Sequence, residues 1–151
     1  MVNLQDIYTQ AGKYSCLCQC YLYAVIDKAG VKEDLVPLVL NQAILNAYLE
    51  NTDIDNEFFV KNPVSLMNKM SSVVSNSELT FNVIKKDITS VKDLPMVGYA
   101  AVRFDFNGHS HWVLFKNQVL LYNSLSDSQC FKYGKPTTAR IIEIKKGGKE
   151  C

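Results

Sequence analysis

The chain carries little net charge. Its 16 Lys and Arg residues nearly balance its 15 Asp and Glu residues, giving a formal charge of +1 at pH 7. Nucleic acids and anionic membranes select clustered positive charge, so neither is an expected partner. The sequence also has no apolar run of the roughly 20 residues that span a bilayer. Because a basic leader and an apolar secretory segment are missing too, we expect a cytoplasmic protein; release by a signal-independent route stays open.

The sequence also lacks the even number of cysteines that is typical of a disulfide framework. The chain has five cysteines, namely Cys16, Cys18, Cys20, Cys130 and Cys151. In a chain without an export signal, an odd number indicates reduced thiols in a reducing compartment rather than a disulfide framework.

The hydrophobic pattern changes along the chain from helical to strand-like. Helical spacing predicts helices at residues 16–28, 35–49 and 63–74, with Gly30 ending the first. Runs rich in β-branched and aromatic residues then predict strands at residues 79–84, 97–106, 111–115, 119–123 and 138–144. Helices followed by an antiparallel sheet predict one α+β domain over residues 1–144, with a flexible tail at 145–151.

Cys16 is a candidate nucleophile because it opens the first predicted helix, directly after the potential cap Ser15. The first turn of a helix presents partial positive charge and free amides, which favour a thiolate. Gln10 precedes the cysteine by six positions, so a short loop can fold its carboxamide back beside the sulfur as an oxyanion donor. A lone helical cysteine, in contrast, is usually a small buried hydrophobe.

His111 is the candidate base, and it opens a strand-like run late in the chain. An imidazolium near the thiol would lower the thiol pKa further and return a proton to a leaving amine. Asn123 can orient the ring, because a turn at residues 116–117 makes the two segments neighbouring strands. Asn123 is equally typical of an ordinary turn, and Asp105 and Asp127 are alternatives for the orienting role.

The remaining cysteines and the other histidine favour structural roles. Cys18 projects from the opposite side of the helix to Cys16, and Cys20 lies a full turn deeper, so both are expected in the core. A metal site is not favoured, because structural zinc sites prefer Cys-x-x-Cys spacing, and we expect no cofactor. His109 follows a turn signal, whereas His111 leads an apolar run, so His111 is the better candidate.

Three motifs resemble those of the papain-like cysteine peptidase superfamily: residues 10–16, His111-Trp-Val-Leu and Leu121-Tyr-Asn-Ser. They are most similar to the small branch related to bacteriocin-leader peptidases, in which a Gly-His-aromatic strand leads to Tyr-Asp-Pro or Tyr-Asp-Ser. Residues 54–63 and 125–136 are also similar to stretches of short papain-like proteins from bacteria and phages. The chain departs from the branch at Asn123, where Asp is common, and at Tyr14-Ser15, where a glycine-containing approach is usual.

The resemblance implies a papain-like fold, with N-terminal helices packed on the sheet, and a cysteine hydrolase that cleaves an amide bond through an acyl-thioenzyme. Cys16 would be the nucleophile, His111 the base and Asn123 the orienting residue, while Gln10 and the Cys16 amide would form the oxyanion hole. The partner would be a peptide or protein substrate, including the peptide part of a bacterial cell wall.

Two other classes of function stay open. An inactive papain-like domain could serve as a binding or assembly module, in which case the same residues would be packing elements. A thiol redox protein would instead need a resolving cysteine within reach of Cys16. Oligomeric state has no visible signature in the sequence.

Overall fold

The computed structural model describes residues 15–75 and 78–146. The helices of this part of the chain come mostly before its strands. They are α1 (Cys16–Ala29), α2 (Val36–Glu50), α3 (Pro63–Val74) and the short α4 (Gln129–Tyr133). Single 3₁₀ turns occur at Glu33–Leu35 and Val91–Asp93. None of these helices is both long enough and apolar enough to cross a bilayer.

The strands of the described residues form one antiparallel sheet with the order β1-β5-β2-β3-β4. Their bounds are β1 (Leu79–Asp87), β2 (Tyr99–Phe106), β3 (His109–Lys116), β4 (Val119–Tyr122) and β5 (Lys135–Lys146). The α+β class predicted from the sequence is therefore confirmed. The last strand lies between β1 and β2, so chain order does not give strand order.

Helix α1 is buried around most of its circumference, and Cys18, Leu22 and Val25 are almost fully enclosed. It ends at Gly30, which adopts the left-handed conformation with φ of 72°. Glycine takes this conformation without the steric cost of a β-carbon, which is why it commonly ends helices. The predicted end of the first helix is therefore confirmed.

The sheet separates two apolar clusters, and β3 contributes to both. Trp112 and Leu114 pack against the cluster shared with the first three helices. Val113 and Phe115 belong to a smaller cluster on the opposite face, next to α4. Because side chains alternate along a strand, His111 lies on the face of Val113 and Phe115.

A two-residue turn joins β3 to β4. Asn117 and Gln118 both have positive φ, 53° and 64°, as a type I′ hairpin turn requires. The turn lies one residue later than predicted. The hairpin pairs Lys116 with Val119 and extends to Leu114 opposite Tyr122, where β4 ends. Asn123 directly follows Tyr122 and therefore lies just beyond the last pair of this hairpin.

Two features of the C-terminal part differ from the sequence-based expectation. The sequence Tyr133-Gly134-Lys135-Pro136 predicts a turn, but α4 precedes Gly134 and β5 already begins after it. The backbone at Gly134 approaches the carbonyls of Cys130 and Asp105 so closely that a β-carbon would not fit. Strand β5 also continues to Lys146, which pairs with Leu79, so the predicted tail boundary at residue 145 is corrected by two residues. Residues 147–151 lie outside the described part.

A groove of about 530 Å³ lies between α2 and α3. Its lining is mostly apolar, with Leu22 among the lining residues and a polar end formed by Glu50, Asp53 and Lys69. The Lys69 ammonium bridges both carboxylates at 2.9 Å. Among the described residues, no cysteine or histidine lines this groove, so it is separate from Cys16 and His111.

Candidate active site

Cys16 lies where the start of α1 meets strand β3. It follows the fully buried Ser15 and is itself half-buried. Three backbone amides interact with its sulfur, those of Cys16 itself, Leu17 and Trp112. The first two belong to the helix N-terminus and the third belongs to β3. The candidate nucleophile is therefore held at a junction between two elements.

Burial dominates the acidity of this thiol and raises the pKa of Cys16 above its ordinary value of 9.0. The three amides act in the opposite direction, as expected of a helix N-terminus, and the nearby Cys130 thiol adds a smaller increase. Because desolvation penalises the charged form, the resting group is a thiol. The backbone amides that favour a thiolate are therefore present, and burial outweighs them in the pKa of Cys16.

The ring of His111 is hydrogen-bonded to Asn123, with 2.7 Å between Nε2 and Oδ1. His111 is buried, with 6% of its surface exposed. His109, two residues earlier on the same strand face, is exposed beside the β2–β3 turn. The expected proximity of His111 and Asn123 is confirmed, and it distinguishes the two histidines.

A second hydrogen bond fixes where the imidazole proton lies. The Leu125 amide also donates to Asn123 Oδ1, at 3.0 Å, and this identifies the side-chain oxygen of Asn123. An amide oxygen only accepts, so Nε2 of His111 must be the donor. The neutral ring then has its lone pair on Nδ1. Burial lowers the pKa of His111 below its ordinary 6.5, while the bond to Asn123 raises it by less.

Cys16 reaches the peptide group next to His111 rather than the imidazole itself. Strand β4 pairs with β3 only between Leu114 and Lys116, so residues 111–113 have β2 as their single strand neighbour among the described residues. The Trp112 amide of this stretch interacts with the Cys16 sulfur, and its nitrogen is two bonds from the Cα of His111. Within the described part of the chain, no hydrogen bond joins the sulfur to the ring of His111.

The alternative candidates are engaged elsewhere or lie apart. Asp105 accepts from Arg103 at 3.1 Å and from Thr137 at 3.0 Å, so it is not the partner of His111. Asp127 is exposed. Gln10 lies outside the described residues, and its proposed role stays a prediction.

Cys18 and Cys20 occupy the core, as expected from their positions on the helix. They are 0% and 1% exposed. Burial raises the pKa of the Cys18 thiol to about 12 and that of Cys20 well above its ordinary value. Both residues therefore act as small apolar side chains.

Sequence reasoning missed a polar network that joins α1 to β4. Ser15 occupies the N-cap position, but its hydroxyl does not cap the helix and instead accepts from Gln19 Nε2 at 2.7 Å. The Tyr122 hydroxyl donates to Gln19 Oε1 at 2.6 Å. The Tyr122 ring stacks on Tyr23, with 4.2 Å between ring centroids. The available signal was the spacing of Ser15, Gln19 and Tyr23, which are four residues apart and share one helix face.

Comparison with protein-family models, curated proteins and solved structures finds no match to this chain. The papain-like resemblance thus rests on its short sequence motifs.

Proposed function

We propose that this domain is a papain-like cysteine hydrolase, a peptidase or amidase that cleaves an amide bond through an acyl-thioenzyme. The main supporting observation is the buried His111, whose Nε2 donates to Asn123 at 2.7 Å while Nδ1 keeps its lone pair. Cys16 supports the proposal by its position at a helix start, beside the Trp112 amide. In this proposal Cys16 is the nucleophile, His111 the general base and Asn123 the orienting group.

The first half-reaction starts from neutral groups. As the Cys16 sulfur attacks the carbonyl carbon of the substrate, Nδ1 of His111 takes the thiol proton. Burial raises the pKa of the thiol and lowers that of the imidazole, so proton transfer should accompany attack rather than precede it. The new C–S bond leaves an oxyanion, which the Cys16 backbone amide and Gln10 would stabilise as donors.

The first half-reaction ends with loss of the amine, and the second, hydrolysis of the thioester, returns the enzyme to its starting state. The imidazolium of His111 donates its proton to the leaving amine as the C–N bond breaks, which leaves a thioester on Cys16. His111 then takes a proton from water as the water oxygen attacks the thioester. The carboxylic acid leaves and the thiol regains its proton, so the cycle consumes one water. In each half, the Asn123 oxygen accepts from Nε2 and stabilises the transient imidazolium.

The substrate in this proposal is a peptide or protein, with the peptide part of a bacterial cell wall included. The balanced charge of the chain gives no electrostatic preference for a strongly anionic partner. An amidase acting on a smaller amide would use the same groups in the same roles.

The second candidate is an inactive papain-like binding or assembly module. Two observations favour it: both pKa shifts stabilise neutral groups, and within the described residues no hydrogen bond joins the Cys16 sulfur to the His111 ring. In this case the bond between His111 and Asn123 would serve only to satisfy buried polar atoms.

Acetyl transfer from p-nitrophenyl acetate tests the two candidates against each other. A hydrolase should acquire an acetyl group on Cys16, mapped by peptide mass spectrometry, and then lose it as the thioester is hydrolysed. His111→Ala should slow both steps, and the matched variant His109→Ala should slow neither. An acetyl group that never forms on Cys16, or that persists equally in the wild type and His111→Ala, would overturn the enzyme proposal.

A further inference from the structure

We infer that Gln19 and Tyr122 are positioning residues that hold the two halves of the proposed active site in register. This inference rests on the proposed hydrolase function. One half is the start of α1, which carries Cys16, and the other is the end of β4, which leads to Asn123. Neither Gln19 nor Tyr122 would touch the reacting atoms.

Two short hydrogen bonds carry the inference. The Tyr122 hydroxyl donates to Gln19 Oε1 at 2.6 Å, and Gln19 Nε2 donates to Ser15 Oγ at 2.7 Å. The network therefore runs from the strand, through one carboxamide, to the residue that precedes Cys16. Burial raises the pKa of Tyr122 to about 12, so its hydroxyl remains a donor across the neutral range. A bond of this kind does not switch off with ordinary changes of pH.

The bonded residues are chain neighbours of the proposed functional ones. Ser15 directly precedes Cys16, and Tyr122 directly precedes Asn123. A displacement of either end of the network would therefore move Cys16 relative to Asn123. Because Asn123 fixes the ring of His111, the same displacement would also move the Cys16 thiol relative to the His111 base. Displacements of about 1 Å can reduce a reaction rate by about 100-fold, so this register matters for the proposed chemistry.

The other end of α1 provides a matched comparison. There the Tyr99 hydroxyl donates to Asp27 Oδ2 at 2.6 Å, and this bond also ties the helix to the sheet. It lies about three helical turns from Cys16. Loss of the Tyr99 bond should lower stability and leave the register of the site unchanged. Loss of the Tyr122 bond should lower stability and also disturb that register.

The experiment compares Tyr122→Phe with Tyr99→Phe. Both variants should fold, and both should have a lower free energy of unfolding in urea than the wild type. Only Tyr122→Phe should lower the His111-dependent rate of Cys16 alkylation by iodoacetamide, by about 10-fold. It should also change the pH at which the His111 Cε1 proton titrates by NMR, a property that a general loss of stability would not move. The aromatic stack on Tyr23 is kept, so the ring of residue 122 retains its packing.

A second substitution tests whether Gln19 and Tyr122 act together. Gln19→Met removes both bonds at similar volume, and adding Tyr122→Phe to it should cause little further loss, because the two residues act as one unit. Equal effects of Tyr122→Phe and Tyr99→Phe on both readouts, or additive effects of the double variant, would overturn the inference. If the wild type shows no His111-dependent alkylation, the proposed function fails, and the NMR titration still decides whether Tyr122 positions His111.

Discussion

His111 and Asn123 are joined by a hydrogen bond of 2.7 Å that runs from the ring Nε2 to the side-chain oxygen. The Leu125 amide donates to the same oxygen, so the carboxamide is held in one orientation. Its oxygen can only accept, which fixes the imidazole proton on Nε2 and leaves Nδ1 as a base. The basicity of His111 should therefore depend directly on the residue at position 123.

Substitutions of Asn123 should move the pKa of His111 in opposite directions. Asn123→Asp places a carboxylate beside the imidazolium and should raise the pKa of His111. Asn123→Ala removes a bond that raises the pKa, so the value should fall. NMR titration of the Cε1 proton measures both shifts, and His109→Ala assigns the two histidine signals. Shifts of the same sign in both variants would show that the bond does not control the base.

The lowered pKa of His111 makes stability depend on pH. The folded chain binds this proton less readily than the unfolded chain, whose histidine has the ordinary pKa of 6.5. The stabilisation is therefore present above pH 6.5 and is lost as the pH falls through the pKa of the folded state. Urea unfolding of the wild type and His111→Gln should give a stability difference that shrinks across this window. The same comparison with His109→Gln controls for other titrating groups, and a difference independent of pH would contradict the prediction.

Substitutions of Cys16 and Cys18 should distinguish a reactive thiol from a cysteine that only packs in the core. Cys18→Ser places a hydroxyl in a site with no exposed surface and should cost about 1 to 3 kcal/mol. Cys16→Ser, in a half-buried site, should cost less and should remove the reactive thiol. Chemical denaturation gives the free energies of unfolding, and peptide mapping after alkylation gives the reactivity. A larger stability loss for Cys16→Ser than for Cys18→Ser would indicate that Cys16 is chiefly a core residue.

Residues close together in the sequence predicted two parts of the fold, the first helix and the hairpin of β3 and β4. The helix from Cys16 is marked by its apolar residues and by Gly30, whose left-handed conformation is a property of the residue itself. The approach of His111 to Asn123 followed from hairpin geometry, since a short turn returns β4 along β3. Both features lie within a few residues of the signals that predict them.

Features that arise from contacts distant in sequence were missed. The bond between Tyr122 and Gln19 joins residues 103 positions apart, and nothing near either residue indicates the other. The close approach of Gly134 to Asp105 is likewise a contact between elements distant in sequence. The residues around Gly134 alone predict a turn, because they do not show this contact. The raised pKa of Cys16 depends on how much solvent the folded chain excludes, which no local pattern records.

The most direct measurement is the rate of Cys16 alkylation by iodoacetamide as a function of pH, read by peptide mass spectrometry. It should compare the wild type with His111→Ala and with the matched control His109→Ala. If neutral His111 takes the proton from the thiol, the wild type and His109→Ala should react near neutral pH, with an inflection below 6.5 where His111 becomes protonated. His111→Ala should retain only the alkaline rise of a buried thiol, above pH 9.0. Identical profiles in all three proteins, rising only in the alkaline range, would contradict a base acting on Cys16.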